Sequence, residues 1–583
     1  MTRVVTLEEK LKRLFKYLHG YVKESVLGPL FKLFEATLEL IVPLIVASII
    51  DHGIKGGDSG YSALMCGLLV LFGAVGLGFS VTAQYFCAKA SVGFVARVRE
   101  ALFGKIQTLS YTDIDNLGTS TMITRMTADC NKVQNGFNLT LRLLLRSPFV
   151  VFGAMVMAFI VDPTSAISFA VVIPVLSLVV FGIMLITMPL YKTVQKNTDK
   201  IVLRTRENLS GVRVIRAFGK EEDEISEFSR ENDALTGVGK RVGMISTLLN
   251  PLTYVIINLA VLWLMELGAI QVDGGALTAG EVVALYNYMS QILVELIKLA
   301  NLIISITRAL ASASRVADVL DMRSTENSGN VTAAGGSEYA VEFNNAAITY
   351  SGSAEPSLSG LNLKVIEGET VGIIGGTGSG KSSLINLIPA FYPASEGEVR
   401  VFGVNVNDYD KDTLRQIIGV VPQRAVLFNG TVRENMRWRS ADATDDEIWA
   451  ALRVAQADGV VLDKGGLDAV IEESGRNLSG GQKQRLTIAR ALVGSPRILI
   501  LDDSASALDF ATDAALRRAV GAIENTTVFI VSQRTSSVMH ADKIVVLEDG
   551  EVVGIGTHDE LLSSSDIYRE IYNSQYGGGV TVG

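Results

Sequence analysis

Three short runs in the last third of this 583-residue chain hold the groups that phosphate chemistry needs. The first, Gly375-Gly376-Thr377-Gly378-Ser379-Gly380-Lys381-Ser382, fits the P-loop pattern GxxxxGK[ST]. Glycines let backbone N–H groups close around phosphate oxygens at a helix N-terminus. Lys381 can reach the β- and γ-phosphates, Ser382 offers a hydroxyl to Mg²⁺, and Ser383 continues the phosphate-side turn. The second run, RILILDD at Arg497–Asp503, is an apolar strand that ends in acids. A buried strand has no use for an acid at its end, whereas Mg²⁺ does, so Asp502 is assigned to the metal, directly or through water. Asp503 then stands where a carboxylate could polarise an attacking water. The third run, LSGGQ at Leu478–Gln482, sets Ser479, Gly480, Gly481 and Gln482 at the start of a helix, a second anion site. One domain has no need of two such sites for a single γ-phosphate. The run makes sense if it caps nucleotide held by a second, facing domain.

These groups need a strand–loop–helix frame, and the flanking sequence supplies one. Glu369–Ile374 reads as a strand before the glycines and Lys381–Ile388 as a helix after them. From about 339 to 576 short β-branched strands alternate with helices, the pattern of an α/β nucleotide-binding domain. Arg323–Glu338 is small and polar without an apolar period and reads as a linker, and Gly577–Gly583 reads as a disordered tail.

The first 322 residues are different. The chain is 48% hydrophobic and only 19% charged, too apolar for a soluble protein of this length. Six apolar stretches, at about 24–50, 61–88, 138–161, 165–190, 244–270 and 279–306, each approach the ~20 residues of a spanning helix. The connections Asp51–Gly60, Val161–Thr164 and Gln271–Gly280 are short and poor in lysine and arginine, whereas Lys89–Lys132 and Lys192–Arg241 are rich in both. The positive-inside rule puts both termini and both long connections in the cytoplasm of a cell whose plasma membrane the chain crosses. Turning points are expected at Tyr111–Leu117 and Ser210–Ala217, where short helices could dock on the nucleotide domain or form a solvated hairpin. The N-terminal segment has no signal-peptide core and reads as a basic amphipathic helix on the inner membrane surface. A net charge of −9 excludes a general nucleic-acid binder. Cys66, Cys87 and Cys130 have neither disulfide nor metal spacing and read as buried thiols.

The motif set, in this order behind six spans, resembles the ATP-binding cassette (ABC) transporter family, and in particular its exporter-type half-transporters. ENLSGVRVIRAF in the second long connection is similar to bacterial multidrug members. The resemblance implies an α-helical membrane domain of six long transmembrane helices followed by an α/β P-loop cassette, with ATP and Mg²⁺ as cofactors. It also implies roles by position. Tyr350 matches the aromatic that stacks on adenine, although its residues alone read equally as a strand-end tyrosine. Gln423 matches the glutamine that senses Mg²⁺, and Ser506–Asp509 the loop that communicates across a dimer. Glu472 matches a segment that touches cytoplasmic helices, and Gln533 the switch histidine.

Two positions depart from the family pattern. It places glutamate where this chain has Asp503, and histidine where it has Gln533. Aspartate sets its carboxylate roughly 1–1.5 Å back, and a misplacement of about 1 Å can cost on the order of 10²-fold in rate. Glutamine can hydrogen-bond a γ-phosphate but cannot become cationic or relay a proton. With the P-loop, Tyr350 and LSGGQ intact, the set resembles the degenerate-site subunit of a heterodimeric exporter. Its partner would carry the missing glutamate and histidine. Other readings are a homodimeric exporter, an ATP-gated regulatory membrane protein, and an importer on the same fold.

Charges within spans are costly and tend to face cavities. Lys32, Glu35 and Glu39 in the first span, and Glu295 and Lys298 in the sixth, read either as an acidic lining for cationic, amphipathic cargo or as groups that pair with one another or with a partner's helices, or that lie below the bilayer.

Overall fold

The computed structural model describes residues 7–322, 324, 328–504 and 507–576 and divides into two compact units. One comprises residues 1–107 and 120–322. The other joins Thr108–Thr119 to residues 323–583.

Six helical segments of the first unit are long and apolar enough to cross a membrane: Val22–Ile54, Ser59–Gln107, Thr119–Val161, Pro163–Ala217, Glu221–Asp273 and Ala279–Asp321. Their short connections carry explicit stop and start signals. Asp162 caps the fourth by accepting from the backbone N–H groups of Thr164 and Ser165, with Pro163 in its first turn. Gly275, at φ 73°, follows the fifth, and Thr278 and Glu281 form a capping box that opens the sixth. The helix Pro163–Ala217 is 55 residues long, about 80 Å at 1.5 Å per residue, and so far outruns a ~30 Å hydrocarbon core.

Ser210–Ala217 does not form a separate short helix. It is the end of that 55-residue helix, because nothing in the segment breaks the backbone ladder before Phe218 and Gly219, where φ reaches 60°. Leu209, Val212, Val214 and Phe218 are exposed along it. Cys66 also differs from expectation: it is exposed on its apolar helix, while Cys87 and Cys130 are buried. The N-terminal helix Leu7–Phe15 does not leave all its cations for lipid. Lys10 pairs with Asp318 at 2.5 Å and Arg13 with Asp321 at 2.8 Å.

The charges of the membrane helices pair with each other. Arg146 donates to Glu39 at 2.5 Å and to Glu295 at 2.6 Å, while Ser147 and Lys298 also bind Glu295, at 2.7 and 2.8 Å. Lys32 holds Glu35 at 2.5 Å and Ser80 at 3.2 Å. Mutual pairing therefore occurs, although Glu39 and Lys298 stay part-exposed within it. Since Arg146 and Glu295 are almost fully buried, removing one partner strands the other. Arg146→Met is therefore expected to destabilise the membrane unit by roughly 3–5 kcal/mol, seen as a lower thermal midpoint in detergent. Adding Glu295→Gln to the same chain should recover most of the loss.

The second unit is built on a six-stranded sheet in the order Glu551–Gly556, Lys543–Glu548, Thr370–Gly375, Thr527–Val531, Ile498–Asp502 and Ile418–Val421. All but the first are parallel, and the inner strands read as near-continuous buried β-branched runs because both faces are covered, one by helices and the other by helices and a second sheet. The chain leaves Thr370–Gly375 for the far edge and returns inward, so the order reverses beside that strand. Open α/β sheets bind ligands at such a point, outside the carboxyl ends of the strands. A second sheet, containing Tyr339–Ile348, Leu358–Ile366 and Glu396–Val401, shares its core with the first.

Within this unit the short helix Tyr111–Leu117 sits on the nucleotide domain. Ser110 and Asp113 form its capping box. The Tyr111 ring stacks on Phe391 with centroids 4.5 Å apart, and Asp115 accepts the Tyr392 hydroxyl at 2.6 Å. Burial and the Asp115 carboxylate both raise the Tyr392 hydroxyl, so it stays a donor at any physiological pH. Residues 328–338 run along the domain rather than away from it: Val331 and the Asp408–Asp410 segment exchange backbone hydrogen bonds of 2.9–3.0 Å.

Candidate functional site

Parallel register brings the site together. Ile373, Val531 and Asp502 are opposed across three neighbouring strands, so the groups that follow each one emerge at the same level. After the first comes the glycine loop, after the second Ser532 and Gln533, and after the third Asp503. A cavity of about 270 Å³ opens there, lined by Thr377–Ser383, Gln423, Asp502, Asp503 and Gln533.

The glycine loop takes backbone conformations that side chains resist. Gly378 and Gly380 have φ of 84° and 93°, and a Cβ on Gly380 would lie 2.7 Å from the Ser357 carbonyl. Outside Gly376 and Gly378 the space is open, as a phosphate cradle needs. Lys381 is nearly buried and folds back on the loop, donating to the carbonyls of Gly375 and Gly376 and to Ser379. Burial lowers its pKa, with Asp503 and Asp502 pulling the other way.

Ser382 donates to Asp502 at 3.2 Å. Burial pushes the Asp502 carboxyl above the ordinary aspartate range, so its anionic form lacks full compensation from the protein. A hydroxyl and a buried, undercompensated carboxylate side by side form a hard oxygen pair that fits Mg²⁺. Asp503 lies one residue on, in the left-handed region at φ 44°, which aspartate tolerates better than most residues. Its N–H donates to the Val531 carbonyl at 3.0 Å, and its carboxylate accepts the Gln423 amide at 3.5 Å. Gln533 is exposed at the rim of the cavity.

Tyr350 does not lie free at the strand end. Its hydroxyl donates to Ser383 at 3.2 Å and its ring meets Tyr392 edge-on at 5.0 Å, which ties it to the helix after the glycine loop. LSGGQ stands apart from this cavity. Ser479 and Gln482 form a capping box on the helix Gly480–Leu492: Ser479 Oγ accepts from the Gln482 N–H, and Gln482 Oε1 from the Ser479 N–H. That leaves Gly480 exposed and Gly481 half-exposed in the first turn, where helix amides point outward. Glu472 is exposed nearby. Ser506 lies outside the described residues. Asp509, at the end of the same run, caps the next helix by accepting from the Thr512 N–H at 2.9 Å.

Gln575 carries no motif that would mark it. This residue lies in the last turn of the helix Asp566–Tyr576 and clamps the loop that carries Gln533. Its Nε2 donates to the Gln533 carbonyl and its Oε1 accepts the Thr535 N–H, both at 2.8 Å. Tyr568, fully buried on the same helix, anchors the clamp in the core. Gln575→Ala is expected to speed hydrogen exchange of the Thr535 amide by about tenfold, while Gln575→Glu keeps the acceptor and retains that protection.

Comparison with known proteins gives the class. Residues 25–296 match the ABC transporter transmembrane region, and residues 358–506 match the ABC transporter domain. An ABC transporter ATP-binding protein of Bacillus subtilis, YfiB, is 35% identical over 572 residues, 97% of this chain and 99% of its own length. Another from Mycobacterium tuberculosis is 33% identical over 580 residues, covering 97% and 98%. The ATP-dependent lipid A-core flippase of Escherichia coli is 30% identical over 519 residues, 88% of each chain. The chain belongs to the ABC transporter family, with the exporter arrangement of a six-helix membrane domain before its nucleotide domain.

Proposed function

We propose that this chain is one half of a heterodimeric exporter in the plasma membrane, with both termini and its nucleotide domain in the cytoplasm. It moves amphipathic molecules, such as drugs, lipids or peptides, out of the cell. Its own P-loop binds ATP and Mg²⁺ but turns ATP over slowly. Its Ser479 and Gly481 complete a competent site on a partner half-transporter.

One observation carries this reading. The same cavity holds a full binding set, Lys381, Ser382, Asp502 and Gln423, beside two altered reactive positions, Asp503 and Gln533. When bound, Mg²⁺ neutralises charge between the β- and γ-phosphates. The chain's own part is then to hold that charge with Ser382 and Asp502, to orient water from Asp503, and to contact the γ-phosphate from Gln533. Asp503 does its part from one methylene too far back, and Gln533 without a proton to exchange.

Two exposed features favour a second chain. Phe428 and Trp438 stack at 4.0 Å, centroid to centroid, on the surface of the nucleotide domain, and Leu209, Val212, Val214 and Phe218 leave an apolar strip on the long helix. The E. coli relative's name, a lipid A-core flippase, supports an amphipathic cargo. The test is ATPase activity of the purified chain alone and after coexpression with a half-transporter that carries glutamate and histidine at the two altered positions. Activity only in the pair is expected. Full turnover by the chain alone would remove the heterodimer.

A further inference from the structure

The membrane unit contains a cavity of about 460 Å³ between the helices Val22–Ser48, Arg146–Val161 and Ala279–Asp321. That is within the range of small-molecule sites. Its wall is amphipathic. Val42, Val46, Val150 and Val294 supply an apolar side. The polar side is a stripe at helical spacing on the sixth membrane helix, Asn287, Gln291, Glu295 and Lys298, faced by Glu39.

The charges of this stripe are arranged in a row. Glu39 binds Arg146, Arg146 binds Glu295, and Glu295 binds Lys298. The two inner members are consumed, with side-chain exposures of 8% for Arg146 and 4% for Glu295. The outer two are not: Glu39 is 42% exposed and Lys298 43%. With the buried Arg146 that backs the wall counted, two acids and two bases cancel, so the row is neutral overall yet presents a carboxylate at one end and an ammonium at the other. Between them Gln291 Oε1 is buried without a hydrogen-bond partner among the described residues, an acceptor waiting for a donor.

We propose that this cavity receives the headgroup of a zwitterionic amphiphile, its cation at Glu39 and its anion at Lys298. The assignment rests on the exporter reading, and it narrows the cargo class. A purely cationic ligand would meet Lys298, and a purely anionic one Glu39, so each would desolvate a wall charge of its own sign. A zwitterion satisfies both ends, and its chain can follow the valine side.

The test uses three dodecyl amphiphiles that differ only in headgroup: phosphocholine, trimethylammonium and sulfate. Each is titrated below micelle formation into the full chain held in an uncharged maltoside. The phosphocholine should bind at least about tenfold more tightly than the other two. Glu39→Gln leaves the wall net positive and should move the preference towards the sulfate. Lys298→Gln leaves it net negative and should move it towards the trimethylammonium. Equal binding of all three, or an order that neither substitution moves, overturns the assignment. Since the measurement needs neither ATP nor a partner, zwitterion binding without ATP-driven transport would keep the site and remove the exporter. Transport without headgroup preference would do the reverse.

Discussion

Replacing Asp503 with glutamate and Gln533 with histidine together should raise single-turnover ATP hydrolysis at this chain's P-loop by roughly 10²-fold or more. The two positions face one cavity from the ends of neighbouring strands. Glutamate at 503 advances the carboxylate by one methylene towards the attacking water, and the Gln423 amide that now reaches Asp503 can still orient it. Histidine at 533 restores a group able to take a positive charge beside the γ-phosphate. Groups that act as a unit are strongly non-additive, so each single change should recover less than about tenfold. Affinity for ATP should stay within about threefold, because Lys381, Ser382 and the glycine loop are untouched. Rapid-quench kinetics with a binding titration reads both quantities. A rise in affinity without a rise in rate would place the defect elsewhere.

Damage to LSGGQ should cost more than damage to the P-loop. In the proposed pair, Ser479→Ala with Gly481→Asp removes the hydroxyl of the capping box and sets a carboxylate among the first-turn amides. A Cβ on Gly481 would also lie 3.0 Å from the Ala507 carbonyl. The γ-phosphate on the partner then loses donors that are worth roughly 10²-fold each in comparable anion sites, so transport and ATPase activity should fall below detection. Under the proposed pairing, Lys381→Ala should weaken binding only at this chain's site, and turnover should fall by roughly tenfold or less. A chain with two equivalent sites would lose activity equally from either change. Vesicle transport and phosphate release, measured on the same preparations, compare the two.

What the sequence made legible was local. The glycine loop, the acid-ended strand and LSGGQ each carry their geometry in a few neighbouring residues, and six apolar runs of spanning length need no tertiary information. The contacts that stayed hidden join distant segments. Glu35, Glu39, Glu295 and Lys298 stood out as charges in apolar helices, but Arg146, which unites two of them, lies 107 and 149 residues from its partners. Only packing of three helices discloses the row. Tyr111 and Asp115 marked a turning point, yet nothing near them names Phe391 or Tyr392 as their seat. Gln575 looked like one polar residue before a glycine-rich tail, because a side chain that binds backbone groups leaves no pattern at the other end. Ser210–Ala217 differs for another reason: its one glycine, Gly211, costs a helix only about 1 kcal/mol, and the long helix runs through it.

The asymmetry itself can be read from the nucleotide left behind. The paired exporter would be turned over with labelled ATP, quenched, and the nucleotide on each chain identified after photocrosslinking to its own P-loop. Unhydrolysed ATP is expected on this chain and ADP on the partner. ADP on both chains in equal measure would contradict it.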